Sequence, residues 1–214
     1  MTFLQIYTRM LYLIGETDVT AVTAVHKSHI NAFIKDITNA FPFSWNMATD
    51  DLTLAAGVSN LPTDYNPNWH LDDVRITGSS TNDDNVFTEI DIKDRDKYGA
   101  TDYKYWITWD ATNEIYVFNT LTQTGTVTIY YYFEPADLSG DTDVCVVPDG
   151  EAVAYGGASK NYIGDDENVQ LKQEYEKEAA SRIQRMYNQD LNFGPKYLEY
   201  SKVSDNSSLT NRGV

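Results

Sequence analysis

Cysteine is almost absent from this 214-residue chain. A single thiol, Cys145, allows no intramolecular disulfide and no cysteine-based zinc cluster. Its neighbours Val144, Val146 and Val147 place it at a buried or half-buried strand position rather than at a nucleophile. Long apolar runs are missing too, since none approaches the ~20 residues of a membrane span. The stretch TFLQIYTRMLYLIG after Met1 carries Arg9 in its middle and no small-residue cleavage site, so it reads as neither leader nor span. The chain is expected to stay in the cytoplasm where it is made. It also lacks a Gly-x-Ser-x-Gly elbow, a Walker loop, a dinucleotide fingerprint and His-Glu-x-x-His. No enzyme is expected, and with it no catalytic residue and no cofactor.

Basic residues are scarce: 16 Lys and Arg stand against 32 Asp and Glu, a net charge of −16. Residues 50–143 hold 18 of the acids and only 5 of the bases, which leaves −13 of that charge in one segment. Gripping DNA through its phosphates requires clustered Lys and Arg, and this field would repel a duplex. A surface past which DNA slides without specific binding is still allowed. What the chain does have is apolar material, 42% of it, with four Trp, sixteen Tyr and eight Phe. That is enough for one real core and a second small lobe.

Four groups of residues could carry chemistry. His26 and His29 have a spacing that puts two imidazoles on one metal, but no third ligand stands at a motif distance. A packed or hydrogen-bonded role is expected for them. Asp137, Asp141, Asp143 and Asp149 could cage calcium, yet they lack the Asp-x-Asp-x-Asp-Gly order and terminal Glu of an EF-hand, so a solvated loop is expected and no metal site. The pairs Asp50–Asp51 and Asp72–Asp73 lie in turn-like segments where acids cap and solvate. Trp106 and Trp109 would form the platform of a carbohydrate-binding β module, an alternative kept open here.

Periodicity predicts an α+β fold, a helical bundle of N- and C-terminal helices with an inserted antiparallel β lobe and an extended C-terminal tail. The division is 1–48 for the N-terminal helices, 49–148 for the β lobe and acidic loop, 149–191 for the C-terminal helices and 192–214 for the tail. The first helix spans 2–14, with Phe3, Ile6, Tyr7, Met10, Leu11 and Ile14 on one face and Gly15 as its end. The second starts near Asp18 or Thr20 and runs to Ala40, its stripe being Val22, Val25, His29, Phe33, Ile37 and Phe41. Strands are predicted at Leu52–Ala56, Val74–Thr77, Phe87–Ile92, Tyr103–Trp109, Glu114–Asn119 and Thr126–Phe133, with a hairpin turning at Asp110 and Asn113. A third helix begins near Pro148 or Asp149, and its Gly156–Gly157 pair permits close helix approach. The fourth, Glu167–Leu191, buries Leu171, Tyr175, Ala179, Ile183 and Met186 or Tyr187. Phe33 and Ile183 are expected core positions.

Past Gly194 the repeat ends. The segment carries Lys196, Lys202 and Arg212 against Glu199 and Asp205, a balance of +1 in an acidic chain. It is read as a docking arm with Phe193, Pro195, Tyr197, Leu198, Tyr200 and Arg212 as the contacts to a neighbouring copy or a partner.

The order of elements carries a resemblance. Two helices closed by FPFSW, acidic strands containing LPTDY, and then TVTIYYYFEPADLSGDTDVCVVPDG leading into two helices resemble phage head-tail adaptor proteins of the connector class. The matching positions are Tyr130, Tyr131, Tyr132, Pro135, Leu138, Asp141, Asp143 and Pro148, within a likeness covering most of residues 1–191. The resemblance implies a virion neck component: a homo-oligomeric ring of twelve under the portal protein, joined to tail or further neck proteins. It implies that genomic DNA passes through without specific binding, that no membrane is involved, and that the arm binds the portal. This chain departs from the pattern in its longer β region and in Gly156–Gly157 where alanines are usual. Another tail or baseplate structural protein is the second reading.

Overall fold

The computed structural model describes residues 1–77, 86–163 and 168–193, with residues 192 and 193 described by their backbone alone. The first helix, α1 (Phe3–Leu13), opens on a reciprocal cap in which Thr2 and Gln5 each accept the other's backbone N–H. Its buried face is Phe3, Ile6, Tyr7, Met10 and Leu11, as the spacing predicts; Ile14, expected on the same face, is the C-cap and only partly buried, and Gly15 follows at φ +86°.

The second helix starts later than expected. Asp18 caps a separate 3₁₀ turn, Val19–Ala21, and Thr23 then caps α2 (Ala24–Ala40) together with His26. Two competing caps within five residues split what periodicity reads as one start. The stripe is also rotated. Ile30, Ile34, Ile37 and Thr38 are buried, while Val25 is exposed and Phe33 only half-buried.

Asp149 caps α3 (Gly150–Asn161), accepting the N–H groups of Glu151 and Ala152. This helix is the centre of the helical body and packs against α1, α2 and α4 (Val169–Phe193). Its two glycines make that possible. A Cβ on Gly156 would lie 2.1–2.2 Å from the ring of Phe33, and one on Gly157 would lie 3.1 Å from Ile30 Cγ1 and Met10 Sδ. Of the face expected for α4, Ala179 and Met186 are buried and Tyr175, Ile183 and Tyr187 pack partly against the core. Leu171 is exposed, and Ile183 is a flank rather than a core position.

Among the described residues seven strands follow α2. They are β1 (Met47–Leu54), β2 (Val58–Asn60), β3 (Asp73–Ile76), β4 (Thr88–Glu89), β5 (Lys104–Asp110), β6 (Ile115–Thr120) and β7 (Gly125–Tyr132). They form two sheets, ordered β1-β7-β3 and β2-β6-β5-β4. Bridges between Ala55 and Val58 and between Arg75 and Val86 stitch the sheets together at both edges, so the lobe closes on itself. Strand β2 was not foreseen; it follows a turn in which Ala56 and Gly57 both have positive φ, a primed hairpin turn lacking the usual Asn-Gly signal. The stretch expected as Phe87–Ile92 shortens to β4, which pairs in parallel with β5, because Asp91 accepts the N–H of Lys93 and starts a 3₁₀ turn over Ile92–Lys97.

Two hydrophobic cores result. One lies among the helices and includes Phe43, Cys145 and Val147; the other lies between the sheets around Phe118, Ile129, Val74 and Leu61. Polar contacts join them. Trp69 donates Nε1–H to the Thr38 carbonyl at 2.9 Å, Asn66 donates to Asn39 at 2.8 Å, and the Phe133 N–H reaches the Asn46 carbonyl at 3.1 Å.

Candidate docking surfaces

Of the residues assigned to the arm, Pro195, Tyr197, Leu198, Tyr200 and Arg212 lie outside the described residues, and Phe193 contributes only the last backbone position of α4. The last turns of α4 before these residues are described. The Tyr187 ring lies 4.8 Å from Phe41 and 6.3 Å from Phe43. Asp190 accepts the N–H of Ser44 at 2.9 Å and its hydroxyl as well. The aromatic close of α2 is thereby tied to the last described turns of α4.

The connection between β7 and α3 is a strap rather than the solvated loop its composition predicts. Asp137 pairs with Lys35 at 3.0 Å, and Asp141 accepts the Tyr7 hydroxyl at 3.0 Å with Lys27 at 3.8 Å. Asp143 accepts the N–H groups of Ser139 and Gly140, both at 2.8 Å, which holds its carboxyl below the usual range. Asp149 caps α3 and meets Arg182 at 3.2 Å. Each of the four carboxylates thus has its own partner. Among the described residues no three His, Cys, Asp or Glu side chains are grouped as a metal would require. The backbone is tied down as well, by Phe3 N–H to Asp143 at 2.8 Å, Cys145 N–H to Met1 at 3.1 Å, and a reciprocal pair between Asn31 and the Leu138 backbone, both at 3.0 Å.

The remaining candidates do not converge. His26 serves the cap of α2, and His29 has a buried Nδ1 with no hydrogen-bond partner among the described residues; burial, aided by the charges of His26 and Lys160, lowers its pKa. Asp51 accepts the hydroxyls of Thr128 and Thr77, Asp73 pairs with Arg75, and burial beside Asp73 raises the Asp72 carboxyl. Cys145 is buried, in the strap rather than in a named strand, and burial raises its thiol. Trp106 and Trp109 sit three residues apart on β5, so strand alternation sends them to opposite faces and they share no platform. Trp109 packs against Tyr116 instead, the rings tilted by 58° with centroids 4.8 Å apart. A shallow hollow of about 170 Å³ lies nearby, lined by Tyr65, Trp69, His70, Glu89, Ile107 and Tyr116. It is below the ~300 Å³ at which small-molecule sites begin. Burial pushes its Tyr65 hydroxyl up to about 12, so that group stays protonated.

One surface feature was not foreseen. Met1, Leu4, Val144 and Val146 are 37%, 41%, 70% and 37% exposed, although the backbone here is tied down by a Thr2–Val144 bridge and by the Cys145 N–H on the Met1 carbonyl. In sequence, Val144, Cys145, Val146 and Val147 form one apolar run. The structure sorts it by alternation, Cys145 and Val147 inward and Val144 and Val146 outward. A run apolar on both faces is the signal that was available.

Compared with known proteins, residues 1–197 match the family model described as SU10 adaptor protein. No curated protein matches the chain.

Proposed function

The chain belongs to the SU10 adaptor protein family, and on that footing we propose that it forms a ring beneath the portal, joins the capsid to the tail and lines the DNA exit path. Membership makes it a phage adaptor, a virion component associated with head and tail parts. The role is structural and not catalytic. The match over residues 1–197 of 214 carries the reading, since it takes in both cores and all of α4.

Two physical features support the finer parts. The acidic excess of residues 50–143 suits a wall that DNA passes without adhering. In the helical body several cations are already engaged: Arg9 with Glu151, Lys35 with Glu134 and Asp137, Lys160 with Asp36, Arg182 with Asp149 and Glu178. No helix among the described residues is long and apolar enough to cross a membrane. Residues 192–214 are the arm that reaches the portal, with Phe193, Pro195, Tyr197, Leu198, Tyr200 and Arg212 as its contacts. The test is co-purification of the full chain, and of a chain lacking residues 194–214, with the portal of the same phage. The full chain is expected to be retained as a ring visible by electron microscopy. The shortened chain is expected to melt within a few degrees of it and to elute free. Full-affinity portal binding by the shortened chain would move the contact to the helices or the β lobe.

A further inference from the structure

The hollow of about 170 Å³ on the β lobe is too small for a drug-sized ligand but has room for the end of one side chain. Tyr65, Trp69 and Tyr116 line it together with Ile107, and Glu89 is the one acid among its lining residues. A cavity of roughly 150 Å³ holds a molecule the size of benzene. A guanidinium with its two nearest methylenes has the same number of heavy atoms.

The aromatic lining is held in advance. Trp69 donates Nε1–H to the Thr38 carbonyl of α2, and the Tyr65 hydroxyl donates to the Trp69 carbonyl, both at 2.9 Å. The Tyr116 ring meets Tyr65 edge-on with centroids 5.5 Å apart and also packs against Trp109. Little side-chain freedom is left for a ligand to remove. The carboxylate is less satisfied. Glu89 Oε2 lies 2.7 Å from His70 Nδ1 and accepts the Tyr105 hydroxyl at 3.4 Å, while its Oε1 accepts no bond from any described residue.

Among the described residues no Lys or Arg pairs with Glu89. The five bases of residues 50–143 are engaged elsewhere: Arg75 by Asp73, Lys93 by Asp91, Arg95 by Asp96, Lys97 by Asp94, and Lys104 over the Tyr98 ring. Aromatic rings beside a carboxylate, in a segment of net charge −13, are complementary to a cation from outside the subunit. Arginine fits better than lysine, because its planar group stacks on rings, binds a carboxylate with two N–H groups and is more weakly hydrated. A second copy of this chain is a poor donor. Arg9, Arg75, Arg95, Arg182 and Arg185 each pair with an acid of their own chain, and two copies repel at −16 each.

We propose that the hollow is a socket for one arginine side chain projecting from a partner protein of the virion, its guanidinium packed on Trp69 and Tyr116 and paired with Glu89. The adaptor reading enters only in naming the partner as a virion protein; the socket itself does not depend on it.

The full-length chain, labelled with ¹⁵N, is titrated at constant ionic strength with N-acetylarginine methylamide, its lysine counterpart and the uncharged isostere N-acetylcitrulline methylamide. The indole N–H signal of Trp69, assigned with Trp69→Phe, reports binding. A saturable shift is expected with the arginine probe, a weaker one with lysine and none with citrulline. Glu89→Gln should weaken arginine binding at least threefold, and Glu174→Gln on α4 should leave it unchanged. A shift that does not saturate, an equal response to citrulline, or unchanged affinity in Glu89→Gln overturns the socket, and an equal response to lysine overturns the choice of arginine. Should Glu89→Gln fail to fold, the citrulline comparison in the parent chain decides alone. Against purified portal and purified tails of the same phage, Glu89→Gln is expected to lose at least tenfold in affinity for one of the two. Unchanged affinity for both overturns the assignment to a partner, as does self-association in sedimentation that Glu89→Gln abolishes, which would seat a second copy's arginine instead. The probe titration uses this chain alone, so its failure leaves the ring and portal reading standing.

Discussion

Replacing Gly156 by alanine separates helix propensity from packing. In an isolated helix the change gains ~1 kcal/mol, since glycine is the poorer helix former. Here the added methyl would lie 2.1–2.2 Å from three atoms of the Phe33 ring, a distance that requires the ring to leave its place. Phe33 is half-buried, so vacating that place forfeits part of the 1.5–3 kcal/mol that burying such a ring supplies. Overpacking adds roughly 1–3 kcal/mol. The net expectation for Gly156→Ala is a loss of about 1–2 kcal/mol, read by urea titration of the helical circular dichroism signal. In a Phe33→Ala background the obstruction is gone and the same change should stabilise by up to ~1 kcal/mol. The reversal of sign is the diagnostic. Equal effects of Gly156→Ala in both backgrounds, within about 0.5 kcal/mol, would refute the claim that the glycine exists to admit Phe33.

Asn31→Ala removes both hydrogen bonds to the Leu138 backbone and should cost ~1–3 kcal/mol, whereas Lys35→Ala, which breaks half-exposed ion pairs with Glu134 and Asp137, should cost under ~1 kcal/mol; thermal melts rank them. His29 has a folded pKa below its ordinary 6.5, so the unfolded chain binds its proton first. Stability is lost as pH falls from about 6.5 through the lowered folded value. The drop in melting temperature from pH 7.5 to 5 should be smaller in His29→Gln, and an unchanged drop would exonerate His29. Light scattering of the full chain alone at low salt should show monomer or weak oligomer, with association growing as salt screens the −16 charge; a stable closed ring at low salt without portal would contradict this.

Where a residue's neighbours in sequence decide its environment, the sequence was legible. Asp149 at the head of α3, the five-residue face of α1 and the hairpin between β5 and β6 are set by local caps, spacing and turn residues, and all are found. The rotated stripe of α2 was not legible, because Val25 and Ile30 are equally apolar and only the groove over Gly156–Gly157 decides which faces inward. The same holds for Val144 and Val146, whose exposure depends on Cys145 bonding to Met1 across the fold. Trp106 and Trp109 seemed a pair because both are aromatic and near in sequence; the odd spacing on one strand separates them. The acids of the strap were legible as residues but not as anchors, since Lys27, Lys35 and Tyr7 are more than a hundred positions away.

That anchoring bears on how the charge is distributed. Exposed ion pairs contribute little to stability, a median of ~0–1 kcal/mol each, so the cations of the helical body are not explained by stability alone. Their placement has a structural consequence. Lys27 and Lys35 of α2 draw in acids of the connection at 134–149, and Arg182 draws in Asp149, which pins the strap to the helices from both sides. In the β lobe the bases are held by near neighbours: Arg75 by Asp73, Lys97 by Asp94, Arg95 by Asp96. Pairing of this kind leaves the acidic excess uncompensated in the helical body and the β lobe alike, so both repel polyanions.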